Sequence, residues 1–73
     1  MANMITSHAQ IIKQWPRSQD FAADIGVHDD SARQWVHRDR IPAKYWVAIV
    51  QAAKVRGYPV SLELLAHLAA KAA

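Results

Sequence analysis

Pro16, Gly26, Pro42, Gly57 and Pro59 constrain this chain more than any other feature. They are its only prolines and glycines, and each falls between stretches of helical periodicity, so they act as turn punctuation. The pieces between them carry short elements. No stretch alternates apolar and polar residues in the manner of a half-buried strand, and there is no internal repeat or low-complexity linker. Ala69–Ala73 is a simple tail, expected to fray over residues 70–73.

Each piece reads as a helix. The first starts after Thr6 or Ser7, either of which can cap it, and ends before Pro16; Ile5, Ala9 and Ile12, with Ile11 and Trp15 beside them, keep a 3.6-residue period. The second starts at Ser18, whose hydroxyl is placed to accept a first-turn N–H, and Asp20 complements the helix dipole. Phe21, Ala22 and Ile25 form its inner face, and Gly26 ends it. The third begins at His28 or Asp29, with Asp29 and Asp30 in its first turn and Ala32, Trp35 and Val36 facing inward. The fourth opens at Ile41-Pro42 with Pro42 at the first helical position, buries Trp46, Ile49, Val50 and Ala53, and stops at Gly57. Ser61 caps the fifth, and Val60 and Leu65 have the spacing of a hydrophobic staple. Leu62, Leu65 and Leu68 continue that helix. The expected fold is all-α, a single domain of five short helices over residues 1–73.

Composition bears on what such a domain can do. The 73 residues contain no cysteine, which removes a disulfide staple, a Cys-ligated zinc finger and thiol catalysis. The core must then be apolar, or be completed by a partner chain. Hydrophobic residues make up 52% of the chain, above the disordered range, and Trp15, Trp35 and Trp46 sit on inward stripes, as core residues rather than base-stacking platforms. The longest uncharged stretch of the second half, Tyr45 to Ala53, lies between Lys44 and Lys54, far short of the roughly 20 residues of a membrane span. Met1-Ala2-Asn3-Met4 lacks the basic start and long apolar run of a signal peptide, so a cytoplasmic location is expected. The four histidines, His8, His28, His37 and His67, have no metal-helix spacing, and no GxSxG, HExxH or Gly-rich phosphate loop occurs. Neither a metal, a cofactor nor an enzymatic activity is expected.

Charge is unevenly placed. The net charge is +3, yet residues 1–40 balance five basic against five acidic side chains. The excess lies in residues 41–73, where Lys44, Lys54, Arg56 and Lys71 face Glu63 alone. Such an excess permits a polyanionic partner without requiring one.

The second and third helices, with the turn between them, are the informative unit. A small residue at Ala22 allows close helix approach, Gly26 four positions later can take the positive φ of a tight corner, and Val27 seals it. Ala32 and Trp35 pack the third helix back onto the second. Asp30, Arg33, Gln34 and His37, spaced i, i+3, i+4, i+7, form one polar stripe that is left free to enter a major groove. The same stripe also suits a solvated face.

The spacing Ala22, Gly26, Ala32, Trp35 resembles the helix-turn-helix of the lambda Cro and phage-repressor (XRE) superfamily. The continuation Trp35-Val36-His37-Arg38-Asp39-Arg40-Ile41-Pro42-Ala43-Lys44-Tyr45-Trp46 is similar to the Cro-like YdaS group and to small proteobacterial carph-isopro proteins. Those share a basic segment followed by Ile/Val-Pro-Ala-x-Tyr-Trp. The resemblance covers roughly residues 8–70. It implies a sequence-specific, double-stranded-DNA-binding transcriptional regulator of bacterial, prophage or mobile-element origin, a homodimeric repressor with its recognition helix near residues 29–38. On that resemblance His28, Asp30, Arg33, Gln34 and His37 match base-reading positions. Arg33 suits guanine, Gln34 adenine and Asp30 the cytosine amino group. Arg17, Ser18, Gln19, Arg38, Arg40 and Lys44 match or flank phosphate-contacting positions. Leu62, Leu65 and Leu68 are candidates for a dimer interface, or else cap the monomer core. The chain departs from the pattern at Asp29 and Asp30, two negative charges where Ser, Thr, Gln or Arg are commoner. They repel phosphate unless they find a base, and they lean toward the alternative of an antitoxin-like or adaptor interaction module with a second protein as partner.

Overall fold

The structure, a computed structural model, describes residues 5–72, without the side chain of Ala72. Residues 1–4, on which the signal-peptide expectation rests, lie outside the described residues, as does Ala73. The chain is all-α: α1 (His8–Ile12), α2 (Ser18–Ile25), α3 (Asp29–Arg38), a 3-10 turn over Ala43–Tyr45, α4 (Trp46–Arg56) and α5 (Leu62–Ala72), with no strand among the described residues. The α5 helix runs on to Ala72 through the segment expected to fray.

Two caps stand where the sequence puts them. The Ser7 hydroxyl accepts the Gln10 N–H at 3.2 Å, and the Ser61 hydroxyl accepts that of Leu64 at 3.0 Å. Two helix starts differ. Arg17, in extended geometry, is the N-cap of α2; Ser18 is already helical, and its hydroxyl donates to Asp29 Oδ1 at 2.7 Å. Pro42, at φ −58° and ψ 137°, precedes the 3-10 turn rather than opening α4, and its carbonyl accepts the Tyr45 N–H at 3.1 Å. Its fixed φ suits the cap as well as the first helical position, so φ alone could not separate the two.

The helices α2, α3 and α4 end alike. Gly26, Asp39 and Gly57 take left-handed backbone geometry, and the next N–H returns to a carbonyl five residues back: Val27 to Ala22, Arg40 to Trp35 and Tyr58 to Ala53. This closure satisfies carbonyls that a helix end leaves open. Asp39 is the unexpected member, a non-glycine residue at φ 56°. Asp tolerates that region better than most residues, and here its carboxylate also accepts the Ala9 N–H at 2.8 Å, tying the end of α3 to the start of α1.

The core contains Ile11, Ile12, Phe21, Ile41, Ile49 and Leu65, each at most 2% exposed. Across it run five stacked or edge-to-face rings: Tyr58 on Trp15, Trp15 on Phe21, Phe21 on Trp35, and Trp35 on Tyr45, with centroids 4.9–6.2 Å apart. Trp15 and Trp35 are therefore core residues, whereas Trp46 is half-buried and its indole N–H donates to the Ile41 carbonyl at 2.9 Å. His8 is buried at 2% exposed. Its Nδ1 accepts the Ile41 N–H at 2.8 Å, so its hydrogen lies on Nε2, which donates to the Leu65 carbonyl at 2.9 Å. One imidazole thus joins α1, the segment before the 3-10 turn, and α5.

Candidate nucleic-acid interface

The corner between α2 and α3 forms because Gly26 turns the chain at φ 76° and His28 restores extended geometry before α3 starts. Buried Ala22 and Ala32 give the close approach, and Phe21 and Trp35 fill the space beside them, edge to face at 6.2 Å. With Ala32 and Trp35 inward, the 100° step of the helix leaves Asp30, Arg33, Gln34 and His37 outward, and all four are exposed. The α3 helix packs chiefly on α1 and α2, and its outer face is exposed.

A cleft borders each side of this stripe. On one side Arg33 and Val36 of α3 face Lys13, Pro16, Arg17 and Ser18 across an open depression floored by Ile12 and Trp15. On the other, Gln34, Trp35 and Arg38 face Arg40 and Pro42. Lys44 stands beyond, its ammonium 5.2 Å from the Tyr45 ring centroid, and Tyr45 lies against Trp35. Gln19 and His28 are exposed beside the corner. Among the described residues, Lys13, Arg38, Arg40 and Lys44 have no carboxylate partner, whereas Arg17, Arg33 and Arg56 do. Unneutralised positive charge therefore collects along the edge of α3 that carries Arg38, Arg40 and Lys44, with Lys13 alone on the opposite edge. Lys13 was not singled out from sequence; its place at the end of α1, a basic residue just before the second helix, was the available signal.

The acidic residues divide by partner. Asp29 accepts from Ser18 Oγ at 2.7 Å and from Arg33 Nη2 at 2.6 Å, so two of the expected DNA-contacting side chains are bonded to it. Asp30 has no side-chain partner among the described residues. Asp24 accepts from Arg56 Nε at 2.6 Å and from Trp15 Nε1 at 2.8 Å. Those bonds, that of Arg56 first, hold its carboxyl below the usual carboxylate range, and Asp24 in turn raises the Arg56 guanidinium. The pair fastens α2 to the end of α4 and so helps set the angle at which α2 presents α3.

The leucine stripe of α5 is not one surface. Leu65 and Leu68 are 0% and 5% exposed within this single chain, so they belong to its own core and are closed to a dimer partner; Leu62 alone, 46% exposed, remains outside. The difference arises because α5 packs on α1 and α4 through the face that carries Leu65 and Leu68. The other exposed large apolar residues lie on α4: Val47 at 55% and Val55 at 88%. Among the described residues no group of histidines and carboxylates is placed to hold a metal ion, and no helix is long and apolar enough to cross a membrane.

Comparison with protein-family models, with curated proteins and with solved structures finds no match for this chain.

Proposed function

We propose that this chain is a sequence-specific regulator that binds double-stranded DNA, a Cro-like repressor that works as a homodimer and acts by occluding a promoter. The observation that carries this reading is the exposed polar stripe of α3 between two grooves, one edged by Lys13 and Arg17 and the other by unpaired Arg38 and Arg40. A helix fits the roughly 12 Å width of a major groove, and the two sugar–phosphate strands then lie along its two sides. Arg17, Lys13, Arg38, Arg40 and Lys44 meet those strands and set the register, with Ser18 and Gln19 beside them. Arg33 and Gln34 read guanine and adenine edges, Asp30 accepts from a cytosine amino group, and His28 and His37 make the outer contacts. Two copies related by a dyad double the contact set and read an inverted repeat.

The test is the salt dependence of binding to a short duplex, followed by fluorescence anisotropy. Five cations per protomer at the phosphates give a slope of log K against log salt of about −4.5 for each half-site. The second reading, a protein-interaction module, draws support from exposed Val47, Val55 and Leu62 and from unpartnered Asp30. It predicts no duplex binding at low salt and a partner held through apolar surface, nearly insensitive to salt.

A further inference from the structure

On the DNA-binding reading above, we infer that Asp29 is a positioning residue that makes Arg33 a reader of base edges rather than a free phosphate-seeking charge. The Asp29 carboxylate is held at both ends. Ser18 Oγ, on the neighbouring helix, donates to Oδ1 at 2.7 Å, and Arg33 Nη2, one turn along α3, donates to Oδ2 at 2.6 Å. The anchor on α2 fixes the carboxylate relative to the corner, so the guanidinium bonded to it is fixed as well. The side chain of Asp29 is 26% exposed and that of Arg33 63%, so the tethered edge lies toward the protein while the rest of the fork stands in solvent.

The chemistry follows from the donor count. A guanidinium has five N–H donors in a rigid plane, and the carboxylate uses one on Nη2. Whichever hydrogen of Nη2 the carboxylate takes, the other forms a parallel pair with an N–H of Nη1 or with that of Nε, and such a pair matches guanine O6 and N7. An untethered arginine loses its rotamer freedom when it binds; Arg33 has lost much of it beforehand, which favours the one geometry it already holds. The Asp29 charge also offsets that of Arg33, so the pair adds little attraction for phosphate at arbitrary sequence. The first effect widens the gap between specific and non-specific binding; the second lowers affinity for every duplex alike. The acidic first turn of α3, the feature that sits least well with a DNA-binding face, then acts to sharpen it.

The test compares wild type with Asp29→Asn on two duplexes, the best-enriched sequence from a randomised pool and a scrambled duplex of equal length. One added net positive charge per protomer, at a slope of about 0.9, raises affinity for the scrambled duplex about 8-fold for each protomer engaged at 0.1 M salt. The selected-to-scrambled ratio falls about 10-fold, and the lost preference is at the base pair that Arg33→Ala relaxes, with no further loss in the double variant. Asp29→Glu keeps the charge but moves the carboxylate, and it lowers the ratio without the gain on the scrambled duplex. Equal gains on both duplexes with an unchanged ratio mean that Asp29 acts through charge alone and overturn the assignment; so does an undiminished ratio in Asp29→Glu. Wild-type protein that does not discriminate between the duplexes overturns the DNA-binding reading itself, and this assignment with it.

Discussion

Replacement of His8 is the sharpest test of how the fold holds α3 in place. His8→Ala orphans the Ile41 N–H, which belongs to a residue 1% exposed and has the imidazole as its partner at 2.8 Å. An unsatisfied buried backbone donor costs about 1–3 kcal/mol. The Leu65 carbonyl loses the Nε2–H bond at 2.9 Å but keeps its place in the α5 ladder, so its share is smaller, about 0.5–1 kcal/mol. The void left by the ring adds about 1–2 kcal/mol. The sum, about 2.5–6 kcal/mol, is a large part of the stability of a 73-residue domain, about 4–11 kcal/mol at ordinary values per residue. Urea unfolding followed by circular dichroism should show the midpoint falling by about 3 M. Two further variants dissect the sum. His8→Asn keeps an acceptor at the Nδ1 position for Ile41 and should recover more stability than His8→Gln, which keeps only a donor at the Nε2 position for Leu65. A His8→Ala midpoint within about 1 M of wild type, or Gln recovering more than Asn, would refute the reasoning.

Three more predictions follow from single contacts. Asp24 titrates below its ordinary 3.8, so the Arg56 and Trp15 contacts stabilise the fold above that value and are lost as pH falls through the lower, folded one; acid unfolding of Asp24→Asn should show a weaker fall in stability below about pH 4 than wild type. Asp39→Ala removes both a tolerated left-handed residue and the cap on Ala9, and should lower stability by about 1–3 kcal/mol in thermal or urea melts, with Asp39→Gly milder because the φ of 56° then costs nothing. Lys44→Ala should weaken binding to every duplex alike and reduce the salt slope by about 1, whereas Arg33→Ala should relax preference at one base pair at a cost of about 1–3 kcal/mol.

The helices were legible because apolar spacing and the five Gly and Pro residues act locally. The bounds of α3 and the caps at Ser7 and Ser61 follow from neighbours within a turn. What escaped depends on distant partners. Ser18 is a good local cap, yet Asp29, 11 residues away, takes its hydroxyl. Asp39 carries no glycine-like signal, and its role needs α1 alongside. As one of four histidines, His8 raises from sequence only the question of a metal ligand. Its membership of the inward stripe with Ile11, Ile12 and Trp15 was visible, but the backbone partners at Ile41 and Leu65 were not. Leu65 and Leu68 illustrate another limit: an apolar stripe does not say whether its own chain or another covers it, and here its own chain does. On the candidate interface, the exposed stripe of α3 was readable from periodicity, whereas the Asp29–Arg33 pairing and the place of Lys13 required coordinates.

The most direct measurement is selection of bound duplexes from a randomised DNA pool at about 0.15 M salt, near the physiological range. The DNA-binding account predicts an enriched inverted repeat, with half-sites about one helical turn or a multiple apart and a guanine whose preference disappears in Arg33→Ala. Folded protein that enriches no sequence would contradict it and would turn attention to the apolar surface around Val55.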